Sequence, residues 1–159
     1  MAGDITTATG AKIFIGPQVA PSVDTASEFA ALTGWVEVGL VESLGEFGDQ
    51  SSAVNFAALN DGRQRKAKGI RDAGDLTLTC GRDSTDPGQQ ALVAAEATPL
   101  KYAFRVVLPD QITTNGSGTT AYFRGLVMSK RLNVGSSDNV IRSTFMIGID
   151  SAVIEVPPT

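Results

Sequence analysis

Apolar and polar residues alternate with a period of two through most of this chain, and each alternating run reads as a β-strand. Asp75–Cys80 is the sharpest, with Leu76, Leu78 and Cys80 on one face and Asp75, Thr77 and Thr79 on the other. Lys101–Leu108 repeats the pattern, with Tyr102, Phe104, Val106 and Leu108 facing a core, and Pro109 ends it. Trp35–Val41 sets Val36, Val38 and Leu40 against Glu37 and Gly39. Ala11–Ile15 forms a first strand stopped by Gly16-Pro17. Ala121–Val134 is a long extended run broken at Ser129-Lys130, and Val140–Ile149 follows with Ile141, Phe145, Ile147 and Ile149 on one face. Ala152–Val156 is a last short strand before the Pro157-Pro158 tail.

Between these runs the punctuation is specific. Asp86-Pro87-Gly88-Gln89 reads as a helix start, with Asp86 as N-cap, proline at the first helical position and Gln89 at capping-box spacing. The helix continues to Ala97 on a small apolar face of Ala91, Leu92 and Ala95, and Pro99 closes it. Asn115-Gly116-Ser117-Gly118 is a turn in which asparagine and glycine supply positive φ, and Gly135–Asn139 is a hairpin loop. Gln18–Thr33 is a surface loop anchored by Phe29 and Leu32, with a short helical turn at 26–32. The sum is about eight strands and one short helix: an all-β, antiparallel sandwich or barrel with a flanking α-helix.

One stretch fits no core. Glu42–Gly74 is polar and Gly-rich, yet it alternates through Ala53–Leu59, presenting Val54, Phe56 and Leu59 without charge. Its approach is acidic, through Glu37, Glu42, Glu46 and Asp49 around Phe47. Its far side is basic, through Arg63, Arg65, Lys66, Lys68 and Arg71. We read it as a long β-arm whose burial comes from neighbouring copies, since an exposed alternating edge in a lone molecule invites pairing. Its charged ends pair either within one subunit or between two.

Composition narrows the function by exclusion. The 159 residues suit one domain, 1–159, with flexible termini at 1–10 and 157–159. With no histidine and one cysteine, there is no internal disulfide, no soft-ligand metal site is expected, and there is no Ser-His or Cys-His pair. Cys80 reads as a small core residue, and Asp83 with Asp86 as a loop residue beside a helix cap rather than a catalytic pair. No catalytic residue, cofactor or metal is expected. The start of the chain does not resemble a secretory signal, and no run reaches the roughly 20 apolar residues of a membrane span. A net charge of −4 argues against wrapping nucleic acid, and the basic run 63–68 lacks the aromatic interleaving of a nucleic-acid patch.

Several segments, in order, carry a family resemblance from Trp35 to Val156. They are the Gly34-Trp35-Val36-Glu37-Val38 strand with "SLGEF" after it, the basic "GRQRKAKGIRDAGDLTLTC", the helix "DPGQQALVAAE", the strand "KYAFRVVLPD", and "AYFRGLVMSKRL" with its Phe-Arg-Gly. Together they resemble the major tail tube proteins of long-tailed, non-contractile (siphovirus) bacteriophages. The resemblance implies a virion structural protein of the viral tail that self-assembles into stacked hexameric rings, a conduit for DNA ejection. It also implies an inner wall shared by all six subunits, with candidate strands at Trp35–Leu44, Ala53–Leu59 and part of Ala121–Val134. Gly45–Gly74 becomes the implied stacking and neighbour-contact element. Implied partners are further copies of the chain and the tape measure, tail terminator and tail tip proteins, with DNA passing without specific binding and no membrane; assembly takes place in the host cytoplasm. The intersubunit contact candidates are Glu42, Glu46, Phe47, Asp49, Val54, Phe56, Leu59, Arg63, Arg65, Lys66, Lys68 and Arg71.

Two alternatives stand beside it. A secretion-system tube or a head–tail connector shares the same physics of self-assembly. A β-sandwich binding module, for instance for carbohydrate, would need an exposed aromatic platform, and the single Trp and two Tyr all lie inside apparent strands.

Overall fold

A computed structural model describes residues 4–159. The chain runs β1 (Lys12–Gln18), α1 (Ala26–Ala31), β2 (Val36–Glu37), β3 (Val41–Ser43), β4 (Gln50–Ala57), β5 (Gln64–Asp72), β6 (Asp75–Gly81), α2 (Pro87–Glu96), β7 (Tyr102–Val107), β8 (Thr120–Asn133), β9 (Arg142–Ile149) and β10 (Ile154–Val156). Every pairing is antiparallel, so the all-β, antiparallel expectation holds. The main sheet has the order β2-β1-β7-β8-β9-β6-β3, with β10 added alongside β8, while β4 and β5 form a separate two-stranded ribbon.

The two edge strands of the main sheet are consecutive in sequence. Only Val38, Gly39 and Leu40 separate β2 from β3, a reach of about 14 Å from Glu37 to Val41 at full extension. The sheet must therefore curl until its edges nearly meet, and it does: Val38 N–H donates to Ile13 O on one side, and Gly81 N–H donates to Leu40 O on the other. The expected single strand Trp35–Val41 is split here because Leu40 takes a positive φ of 55°. The curled interior holds the main core, including Ile13, Ile15, Leu76, Leu78, Cys80, Phe104, Phe123, Phe145 and Ile147, and α2 inserts Leu92 and Ala95 into it. Phe104 and Phe123 stack at 5.4 Å.

A second cluster, Val19, Phe29, Ala103 and Tyr122, lies on the opposite face under α1 and β10. Residues 120–125 of β8 are accordingly buried on both faces. The helical turn expected near Ala26 is a six-residue helix with a reciprocal capping box between Thr25 and Glu28.

Several local expectations are corrected. Gly16-Pro17 does not stop β1; the strand passes through them with a register shift between Ile15 and Gln18. The interruption in β8 is likewise a bulge, between Val127 and Ser129, and pairing with β9 resumes to Asn133. Leu108 and Ile141 are exposed because each lies just outside its strand. Neither Asn115 nor Gly116 has positive φ. Glycine is needed at 116 because a Cβ there would meet Thr159 O at 1.9 Å. The tail expected to be loose at 157–159 is held at this loop, where Ile112 and Thr113 N–H both donate to Thr159 O. The flexible start expected at 1–10 falls partly on residues 1–3, outside those described; residues 4–10 are exposed.

Candidate assembly surface

The ribbon is built by alternation alone. Register pairs Ala53 with Lys68, Val54 with Ala67, Asn55 with Lys66 and Phe56 with Arg65. Because cross-strand partners share a face, Val54, Phe56 and Ala67 line one side with Arg65, and Ala53, Asn55, Lys66 and Lys68 line the other. Among the described residues, no other element packs on either side. Val54 is 53% exposed, Phe56 65%, Ile70 84% and Leu59, in the tip loop, fully so. A lone two-stranded ribbon is marginal in water, and this one carries its apolar side chains outward.

The twelve contact candidates separate by position. Val54, Phe56, Leu59, Arg63, Arg65, Lys66 and Lys68 lie on the ribbon or its tip, clear of the subunit's own core. Asp49 and Arg71 pair with each other at 3.4 Å across the ribbon's root, so this part of the acidic–basic pairing is internal. Arg65 pairs with Asp61 at 2.9 Å within the tip. Arg63, Lys66 and Lys68 have no carboxylate within 4.0 Å among the described residues. Glu42 belongs to β3, not to the ribbon, and its carboxylate accepts from Arg142 of β9. That bond raises the Arg142 pKa. Glu46 is exposed beside the root. Phe47 turns inward, its ring 5.8 Å from Phe123, so it packs on the subunit's own core.

The segment leading to the ribbon is fixed by α2. Asp86 is the N-cap: its Oδ2 accepts from Gln89 N–H at 2.9 Å and from Gly39 N–H at 3.1 Å. Gln89 does not complete a capping box back to Asp86. Its buried amide turns the other way, donating to Gly39 O at 3.1 Å and Gly81 O at 2.9 Å and accepting from Asp83 N–H at 3.0 Å. Gly88 lets the helix approach so closely that a Cβ there would fall 2.2 Å from Glu37 O. The Gly-Gln pair of "DPGQQALVAAE" is thus a clasp on the barrel's closing segment, holding Leu40 in a left-handed conformation that costs a bulky residue about 1 kcal/mol or more.

Two arginines went unread in the sequence. Arg124, in Phe-Arg-Gly, is buried and donates to Pro21 O at 2.8 Å, Val23 O at 3.1 Å and Asp150 O at 3.1 Å. It ties the 18–33 loop to the main sheet. Asp150 receives Lys101 at 2.7 Å and Arg124 at 3.5 Å; hydrogen bonding from Lys101 is the main cause that lowers its pKa. Arg105 lies over the Phe14 ring at 4.3 Å and the Trp35 ring at 4.9 Å. Trp35 is therefore engaged within the fold and not a free aromatic platform. Alternation alone leaves both arginines on the face away from the main core; the second cluster under α1 explains the burial of Arg124, while Arg105 is half-buried against Phe14 and Trp35. Burial likewise raises the Cys80 thiol to about 11, as fits a core residue and not a nucleophile.

The fold is similar to that of chains from a baseplate, a sheath/tube terminator and a tail tube. A chain of the anti-feeding prophage baseplate, 6-fold symmetrised, is 8% identical with a TM-score of 0.72, covering 99% of this chain and 98% of that one. A chain of the sheath/tube terminator of the PVC extracellular contractile injection system is 10% identical with a TM-score of 0.70, covering 98% and 99%. The SPP1 tail tube chain is 12% identical with a TM-score of 0.61, covering 92% and 76%. No curated protein matches in sequence. The family described as "Phage tail tube protein, TTP" matches residues 16–145, from the first strand through the ribbon and α2 into β9. The chain belongs to the phage tail tube protein family, whose role is structural.

Proposed function

We propose that copies of this chain close into hexameric rings and that the rings stack into the tail tube, with the 50–72 ribbon as the contact between copies. The observation that carries the reading is the ribbon: a built, register-paired element with its apolar side chains outward and no partner surface among the described residues of its own subunit. The six-fold symmetry of the anti-feeding prophage baseplate, a fold relative, supports the ring number. In this reading the whole of 1–159 is one tube domain, located in the virion tail after assembly in the host cytoplasm. It catalyses nothing. Tape measure, terminator and tip proteins are its partners, and DNA passes through the lumen without specific binding. The net charge of −4 suits a conduit, since an acidic wall repels phosphate at short range.

The second reading, a tube of an injection or secretion system, is favoured by the PVC likeness; the family match favours the phage tail. The test is to concentrate the purified chain and look for rings or hollow tubes by negative-stain microscopy. Phe56→Asp and the triple change Arg63→Glu, Arg65→Glu, Lys66→Glu should each leave the circular dichroism spectrum unchanged and prevent tubes. Tubes formed normally by both variants would remove the ribbon from the contact.

A further inference from the structure

The ribbon divides the molecule's charge. Residues 50–72 hold five cations against two carboxylates, a net +3, leaving eight against fifteen, a net −7, for the rest of the chain. Part of that negative charge gathers where the ribbon leaves the body. A cleft of about 710 Å³ at the root is lined by Glu46, Phe47, Asp49, Gln50, Ala73 and Asp75, among others. Asp49 is engaged by Arg71, but Glu46 and Asp75 are exposed and have no cation within 4.0 Å among the described residues.

In their own subunit the free cations of the ribbon lie outside this cleft: Lys66 and Lys68 line a separate groove along the ribbon with Asp49 and Arg71 and have no carboxylate within 4.0 Å among the described residues. Lys66 pairs with Asn55 and Lys68 with Ala53, which puts them about 16 Å and 10 Å out from Gln50 along a strand rising about 3.3 Å per residue. Resting on the reading of the ribbon as the assembly element, we propose that the cationic face of one copy's ribbon lies in the acidic root cleft of a second copy. Lys66 and Lys68 then face Glu46 and Asp75, and Val54 and Phe56 on the opposite side are left to cover the neighbour's or a further copy's apolar surface. Ribbon and cleft are different surfaces, so unless two copies exchange ribbons about a two-fold axis the contact is heterologous. It propagates from copy to copy until it closes as a ring or continues as a filament.

A charge swap tests this. Lys66→Glu with Lys68→Glu, and separately Glu46→Lys with Asp75→Lys, should each raise the critical concentration for assembly about tenfold, read by sedimentation and light scattering. The chain carrying all four changes should return close to the parent value. Oxidative cross-linking gives a second readout: a Lys66→Cys copy mixed with a differently tagged Asp75→Cys copy should form a disulfide heterodimer, with Cys80 protected by burial. If the cleft variant assembles like the parent while the ribbon variant fails, the docking proposal is overturned and the ribbon reading survives. A four-fold swap that keeps a native spectrum but does not recover assembly, or absence of the heterodimer in assembled material, also overturns the docking proposal alone. If the ribbon variant and Phe56→Asp both assemble normally, or the parent stays monomeric at millimolar concentration, both readings fall.

Discussion

Gln89→Met probes the connection between the barrel's closure and the ribbon. Both residues are good helix formers of similar length, so α2 keeps its propensity while three hydrogen bonds disappear: to Gly39 O, to Gly81 O and from Asp83 N–H. Each contributes about 1 kcal/mol net, and a buried group left unpaired costs more than a bond simply lost. Gly39 and Asp83 are only half-buried, so water meets part of the deficit. The expected loss is about 3 kcal/mol, or about 1.5 M in the urea midpoint at a slope of about 2 kcal/mol/M.

The loss should be local before it is global. Leu40 keeps its positive φ only while Gly39 is held from both sides, so amides at 38–43 should exchange faster in Gln89→Met, while those of β7 change only in step with global stability. Gln90→Met is the control. Gln90 is exposed and makes one bond to Ser84 O at 2.8 Å, so it should cost less than about 0.5 kcal/mol. Equal midpoints for the two variants, or unchanged exchange at 38–43, would refute the clasp.

Arg124→Met should cost about 3 kcal/mol by leaving the Pro21, Val23 and Asp150 carbonyls without their donor, with limited proteolysis showing cleavage in 19–25 that the parent resists. Gly88→Ala should cost about 2 kcal/mol or more in a thermal melt, because the backbone of Glu37 and Val38 must retreat from the new methyl group; a variant as stable as the parent would show that α2 does not sit against β2. Acid should destabilise the fold. Asp150, Asp110 and Asp83 have lowered pKa values through Lys101, Thr119 and Thr85 respectively. Their contribution is full above the ordinary carboxylate value of about 3.9 and is lost as pH falls through their folded values. The ratio of urea midpoints at pH 3 and pH 7 should therefore lie nearer unity in Asp150→Asn than in the parent.

Alternation made the sheet legible, because strands with one buried face write that burial into every second residue: β6, β7 and β9 were visible as Leu76–Cys80, Phe104–Val106 and Phe145–Ile149. It failed where a strand is buried on both sides. At 120–125 the outward positions, Tyr122 and Arg124, look like a solvent face and are covered instead by α1 and its loop. It also missed β2 and β3 as separate edges, since nothing in Trp35–Val41 announces that Leu40 will adopt a left-handed conformation; that is imposed from α2, about fifty residues away in sequence. The ribbon's existence was readable from its lack of a core. That its root pair closes within the subunit while Glu42 turns to β9 depends on register, which composition does not encode.

The ribbon's energetics bear on how assembly would begin. Val54, Phe56, Leu59 and Ile70 are together exposed enough that covering them would contribute roughly 5 to 9 kcal/mol, taking about 1.5–3 kcal/mol for each fully buried side chain. Bringing two copies together costs about 4–15 kcal/mol in lost freedom. A single ribbon contact therefore lies near break-even, and ion pairs to exposed lysines add little to it. A copy that both gives a ribbon and receives one is held twice for one loss of freedom. On these magnitudes a pair of subunits should be scarce and a closed ring stable, so growth should show a lag that preformed rings abolish. Assembly without a lag, through abundant dimers, would mean that a surface other than the ribbon supplies most of the contact.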